Sequence, residues 1–201
     1  MTFADIDNVV TIHSPALSRL TDEEFYDLCQ LNPTLRLERN ADHEIVFMPP
    51  AGSESSRSSG EVYGQLWLWN RQHQLGYAFE SSAGFTLPDG SVRSPDASWV
   101  AKAAYEAIPE AQRLRFPPVC PAFVVEVRSP SDGLGPLRRK MEAYLANGVQ
   151  VGFLLDPTAE TATLYRPGQA PEELQGFGRT LSAEPALPGF ELDLRPLRRP
   201  G

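Results

Sequence analysis

The segment Ala122-Phe-Val-Val-Glu126-Val127 is the most apolar run in the chain, and it carries a carboxylate near its end. Such a run suits a central strand covered on both faces, so the fold must supply a layer above it and a layer below. The carboxylate makes a second demand. Burying Glu126 among Phe123, Val124, Val125 and Val127 is costly unless a cation or strong hydrogen-bond donors meet it. A salt bridge, a set of backbone N–H groups or a metal ion would each satisfy that demand.

The segments around this strand alternate in type. Thr21 and Glu24 have capping-box spacing, and Phe25, Leu28 and Leu31 form an apolar stripe before Asn32-Pro33, which predicts a first helix. Leu35, Leu37 and the apolar residues 45–48 predict a hairpin that turns at 40–42 and stops at Pro49-Pro50. Val62, Leu66 and Trp69 recur at helical spacing and predict a long helix from Ser53 to about His73. Short strands are expected at 77–80 and 84–87, and Pro88-Asp89-Gly90 is a turn signal ahead of a strand at 95–100. A short helix is expected at 102–108. Leu134, Leu137, Met141, Tyr144 and Leu145 share one helical face, ended by Asn147-Gly148. A buried strand is expected at 151–155, with weaker strands at 163–165 and near Leu181. This order predicts an α/β fold with a mixed central β-sheet flanked by helices.

A chain of 201 residues fits one domain, expected here at 21–195, with a loose lead-in at 1–20 and a tail at 196–201. No apolar run is long enough to span a bilayer and residues 1–10 lack the features of a secretory signal, so the cytoplasm is the expected location. Cys29 and Cys120, like His13, His43 and His73, are too scattered for a disulfide framework or a zinc site. The formal net charge of −8 argues against non-specific coating of nucleic acid, so a polyanionic partner would need a local basic patch. Lysine occurs only at Lys102 and Lys140.

Asp96 also opens a hydrophobic strand, preceded by Pro95. If its strand neighbours that of Glu126, the two carboxylates converge. With a backbone carbonyl such as that of Val127, they provide the oxygen ligands that Mg²⁺ or Mn²⁺ prefers. A turn or cap role is the alternative for Asp96. Lys140 lies about 40° from Tyr144 on a helical wheel, at the margin of the apolar face. It is either a solvated helix charge or a side chain that reaches the acids and orients or deprotonates a water. Glu54, in the first turn of the long helix, either complements the helix dipole or faces the metal site, on a stripe shared with Glu61 and Gln65.

The combination of Pro95-Asp96, Glu126-Val-Arg-Ser-Pro-Ser-Asp132 and Lys140-Met-Glu-Ala-Tyr144 with Asn147-Gly148 resembles the Uma-type endonuclease family, a branch of the PD-(D/E)xK restriction-endonuclease-like superfamily. Met48-Pro-Pro-Ala-Gly-Ser-Glu54 and Leu187-Pro-Gly-Phe-Glu-Leu192 extend the likeness over roughly residues 20–195. The resemblance implies a restriction-endonuclease-like α/β sandwich. In it, Asp96 and Glu126 match the metal-binding acids and Glu54 the acid of the first core helix. The lysine usual in the superfamily two positions after the glutamate is Arg128 here, and arginine is effectively never a general base. Lys140 is then the stand-in. Many relatives carry histidine where this chain has Ser55.

These readings lead to an expected Mg²⁺- or Mn²⁺-dependent DNA endonuclease. Asp96, Glu126 and the Val127 carbonyl would hold the metal, Lys140 and Glu54 would assist, and Arg128, Arg57 and Arg138 would bind phosphate. Arg138 and Arg139 are equally explained as surface charge. Ser129 and Ser131 are expected to cap the following turn. A homodimer would suit cleavage of both strands. The rival readings are an inactive nuclease-fold module that binds nucleic acid or assembles with partners, and a glycosidase, which would work in excess chelator.

Overall fold

The computed structural model describes residues 10–198, so the start of the expected lead-in and the end of the expected tail lie outside the described residues. β1 (Val10–Ile12) and a 3-10 turn precede α1 (Asp22–Leu31). Thr21 Oγ1 accepts the Glu24 N–H at 3.2 Å while the Glu24 carboxylate accepts the Thr21 N–H at 2.8 Å, so the capping box is closed. β2 (Arg36–Arg39) and β3 (Ile45–Met48) form the antiparallel hairpin. α2 (Ser53–His73) follows Pro49-Pro50 and ends at Gln74. Next come β4 (Gly76–Glu80), β5 (Phe85–Thr86), β6 (Val92–Arg93) and β7 (Ala97–Ala101). Two short helices, α3 (Lys102–Glu106) and α4 (Glu110–Arg113), lead to β8 (Phe123–Val127), the strand of the apolar run. α5 (Leu134–Ala146) connects it to β9 (Val151–Asp156). Gly148, at φ 113°, turns the chain between them where a side chain would be strained. β10 (Thr161–Tyr165), β11 (Glu172–Gln175), β12 (Thr180–Ser182) and β13 (Glu191–Asp193) complete the order.

Six strands form the central sheet in the order β11-β10-β9-β8-β7-β4. Only β8 and β9 run parallel, as the α5 crossover requires, so the sheet is mixed. Alternate residues of β8 point to opposite faces. Phe123, Val125 and Val127 pack with Val62, Leu66 and Trp69 of α2. Val124 packs with Met141 and Tyr144 of α5. All five β8 residues are buried, which fulfils the two-layer demand of the apolar run. At about 1.5–3 kcal/mol for each fully buried large apolar side chain, these two layers are the main hold on the strand.

A second sheet, β1-β3-β2-β6-β5, packs Ile45 and Val92 against Phe25 of α1. β1 lies within the stretch expected as lead-in and pairs with β3. The facing side of the β2–β3 hairpin carries Arg36, Glu38, Val46 and Met48, which pair as Arg36 with Met48 and Glu38 with Val46. This side looks across to α5 and the ends of β7 and β8. No described helix is long and apolar enough to cross a membrane.

Candidate active site

The ladder between β7 and β8 pairs Ala97 with Val125, Ser98 with Val124 and Trp99 with Phe123. Continued by one step, it sets Asp96 across from Glu126. Asp96 Oδ2 accepts the Val127 N–H at 2.8 Å, so its side chain takes over the ladder where the strands part. Glu126 shares the Val124 face of β8, toward α5.

On that face Glu126 Oε1 accepts the Tyr144 hydroxyl at 3.0 Å and lies 2.9 Å from Lys140 Nζ. Lys140 and Tyr144 are four residues apart and so lie on neighbouring turns of α5. Lys140 also donates to Glu38 Oε1 at 2.9 Å. Glu38, only 1% exposed, accepts from Arg93 Nη1 at 3.0 Å and from the Ser94 N–H at 2.9 Å as well. One ammonium therefore joins a carboxylate of the central sheet to a carboxylate of the second sheet.

The two glutamates on Lys140 titrate in opposite directions. Burial raises the Glu126 carboxyl to about 7; Lys140 opposes the rise, and repulsion from Asp96 and Glu38 adds to it. Burial also opposes ionisation of Glu38, but Lys140, Arg93 and the Ser94 N–H together outweigh it and hold that carboxyl low. Burial raises Asp96 too, against the pull of the Val127 N–H, Lys140 and Arg36. For Lys140, burial disfavours the charge, yet Glu126 and Glu38 overcome it and keep the ammonium protonated well above its usual range. Burial pushes Tyr144 well up as well, with Glu126 and Glu38 adding to it, so its hydroxyl stays a donor.

A groove of about 420 Å³ opens beside these acids, lined by Asp96, Val127, Arg36, Met48, Glu54 and Asp132, among others. Asp96 and Glu126 present hard carboxylate oxygens, and Asp96 Oδ1 and Glu126 Oε2 receive no hydrogen bond among the described residues. With the Val127 carbonyl these are donors suited to Mg²⁺ or Mn²⁺. Among the described residues, no three His, Cys, Asp or Glu side chains are arranged to hold one metal ion together. The donor set is thus two carboxylates, the kind that leaves most positions to water and phosphate oxygens.

Of the other residues singled out in the sequence, Glu54 reaches the groove, exposed and paired to Arg57 at 3.2 Å. Its stripe does not continue to the site, since Gln65 bonds Glu61 and the backbone of Asp193 on β13. Arg57 donates to the Pro196 carbonyl at 2.9 Å. Arg128 binds Asp156 at 2.7 Å and the Asp132 carbonyl at 2.9 Å, which clamps the loop after β8 to β9. The structure does not bring Arg138 into one cluster with Arg128 and Lys140; it pairs with Glu173 on β11 at 3.0 Å. Ser129 and Ser131 bond each other, and Asp132 takes the Ser129 N–H, so this segment forms a turn.

Three groups at the site escaped the sequence reading: Glu38, Arg93 and Arg36. Glu38 and Arg36 alternate with Leu37 on a four-residue strand that reads as solvated. The available signal was the hairpin register, which sets them opposite apolar Val46 and Met48. Arg93 sits on a two-residue strand with no readable period.

A family profile described as "Uma2: Putative restriction endonuclease" matches residues 22–195. No curated protein matches the chain. Among solved structures, the chain is similar to a protein of Anabaena variabilis ATCC 29413 described as "a putative nuclease belonging to DUF820". The identity is 20%, the TM-score 0.72, and the match covers 89% of this chain and 97% of that one. At that identity the likeness is one of fold, and it bears out the nuclease-like mixed α/β architecture expected from the sequence.

Proposed function

This chain belongs to the Uma2 family, and from that premise we propose that it is a divalent-metal-dependent endonuclease that hydrolyses DNA phosphodiester bonds. The observation that carries the reading is the pair of acids, Asp96 and Glu126, held across adjoining strand ends beside an open groove. Asp96, Glu126 and the Val127 carbonyl would hold Mg²⁺ or Mn²⁺. When bound, such a cation supplies Lewis-acid polarisation of the phosphate and a more acidic water.

The chain's own residues do the rest of the work in this reading. Tyr144 donates to Glu126 and so fixes the rotation of its carboxylate. Lys140, protonated between Glu126 and Glu38, is a fixed positive charge that offsets charge developing on the phosphate and orients water as a donor. It is not the base. Glu54, exposed at the groove, is the carboxylate left to accept a proton from the attacking water. Phosphate binding falls to Arg128, Arg57 and Arg138, each of which would have to exchange its present partner for a phosphate oxygen. Arg36 already lines the groove and joins them. Residues 21–195 act as one domain, and a homodimer would place two such sites on the two strands of a duplex.

A second reading, an inactive nuclease-fold module that binds nucleic acid, is favoured by one observation: the candidate lysine is bound by two carboxylates and cannot serve as a base. Calorimetric titration of Mn²⁺ into the wild type and Glu126→Ala, with plasmid nicking on the same samples, separates the two. The nuclease reading expects Mn²⁺ binding and metal-dependent nicking that the substitution abolishes. A wild type that binds DNA but neither binds Mn²⁺ nor nicks would overturn it.

A further inference from the structure

Lys140 is shared between carboxylates of two sheets, with Glu126 on the central sheet and Glu38 on the second. Glu38 is 1% exposed and engages both Arg93 at 3.0 Å and Lys140 at 2.9 Å. The ammonium therefore does not belong to Glu126 alone.

We propose that Glu38 is a positioning residue: by binding the Lys140 ammonium from β2, it keeps that ammonium from neutralising Glu126 alone, so that a divalent cation can compete for the Glu126 carboxylate. The inference rests on the metal-dependent reading above. Lys140 Nζ lies 2.9 Å from Glu38 Oε1 and 2.9 Å from Glu126 Oε1, held by two opposed attractions. With a neutral side chain at position 38, the ammonium would close on Glu126 as a buried one-to-one ion pair, and breaking such a pair to admit a metal is costly. Among the described residues, no carboxylate other than Glu38 and Glu126 forms an ion pair with Lys140. Arg93 on β6 is itself a cation, Asp96 is held by the Val127 N–H, Tyr144 donates to Glu126, and Asp132 in the loop before α5 is engaged by the Ser129 N–H. Glu38 has a fixed orientation because Ser94 and Arg93 bind it from behind.

A double-mutant cycle tests the idea. Mn²⁺ is titrated calorimetrically into the full chain as wild type, Glu38→Gln, Lys140→Met and the double variant at one pH, with a melting curve on each. Lys140→Met should bind Mn²⁺ at least as tightly as the wild type. Glu38→Gln should weaken binding about tenfold when Lys140 is present and less than about twofold when it is replaced. Glu38→Asp keeps the charge but retracts it, and should fall between; the same cycle run with it decides the matter if the Gln variant does not fold. Equal weakening in both backgrounds would overturn the proposal, since Glu38 would then act without Lys140. Loss of Mn²⁺ binding in Lys140→Met would overturn it too. A wild type that fails to bind Mn²⁺ removes the metal reading itself, and this inference with it.

Discussion

Glu126 should tie metal binding to pH by an amount that follows from its surroundings. Burial raises its carboxyl to about 7, with Lys140 opposing and Asp96 and Glu38 adding to the rise. A cation binds the carboxylate, so it must displace that proton. With a midpoint of about 7, roughly a tenth of Glu126 is ionised at pH 6, about half at pH 7 and about nine tenths at pH 8. Mn²⁺ affinity should therefore rise about tenfold from pH 6 to pH 8, or about 1.4 kcal/mol. Calorimetry in two buffers of different ionisation enthalpy counts the same proton independently. It should find nearly one proton released per Mn²⁺ at pH 6 and about half a proton at pH 7. Tyr144→Phe removes the hydroxyl that donates to Glu126 at 3.0 Å. Because a hydrogen bond to a charged group is worth about 1.5–3 kcal/mol, the steep part of the curve should move up by on the order of one pH unit. Intact Mn²⁺ binding with an affinity flat between pH 6 and pH 8 would refute the reasoning.

The same carboxyl sets an acid-side trend in the metal-free protein. Burial raises its carboxyl to about 7, above the ordinary glutamate value of 4.5, so the native state keeps a proton the unfolded chain has lost, and this contribution to stability falls as pH rises from 4.5 to about 7. Glu38 has the opposite sign, its contribution being present above 4.5 and lost in more acidic solution. Denaturation in chelator should show Glu126→Gln losing less stability than the wild type between pH 5 and pH 7.5, and parallel curves would count against it. Phe123→Ala empties a fully buried site that packs edge-on to Phe153 at 5.1 Å. It should cost about 3–5 kcal/mol and lower Tm by on the order of 10 °C in a melting experiment. Arg128→Ala removes the ion-pair partner of the buried Asp156 carboxylate, which keeps the Thr158 and Ala159 N–H donors, and should cost about 1–3 kcal/mol in chemical denaturation.

Much of the framework was legible because its causes are local. The Thr21–Glu24 box, the prolines after Met48 and the Asn147-Gly148 stop act within a few residues of where they stand, and the helices Asp22–Leu31, Ser53–His73 and Leu134–Ala146 agree with them. Each of Asp96 and Glu126 marks an apolar strand, but their convergence was legible only on the condition that the two strands are neighbours, which the β7–β8 ladder supplies. The short strands Val10–Ile12, Val92–Arg93 and Glu172–Gln175 left no such pattern, since two to four residues cannot establish a period.

From the sequence by itself came the core strand with its misplaced carboxylate and the three long helices. Those are consequences of hydrophobic periodicity and capping, which a linear chain displays. What only the tertiary structure decided is how Glu126 is answered: by Tyr144, and by a lysine shared with Glu38, a residue 102 positions away in the chain on a different sheet. Charge in a low-dielectric interior depends on distance through space, and the docking of one sheet onto another sets those distances, leaving no trace in local residue order.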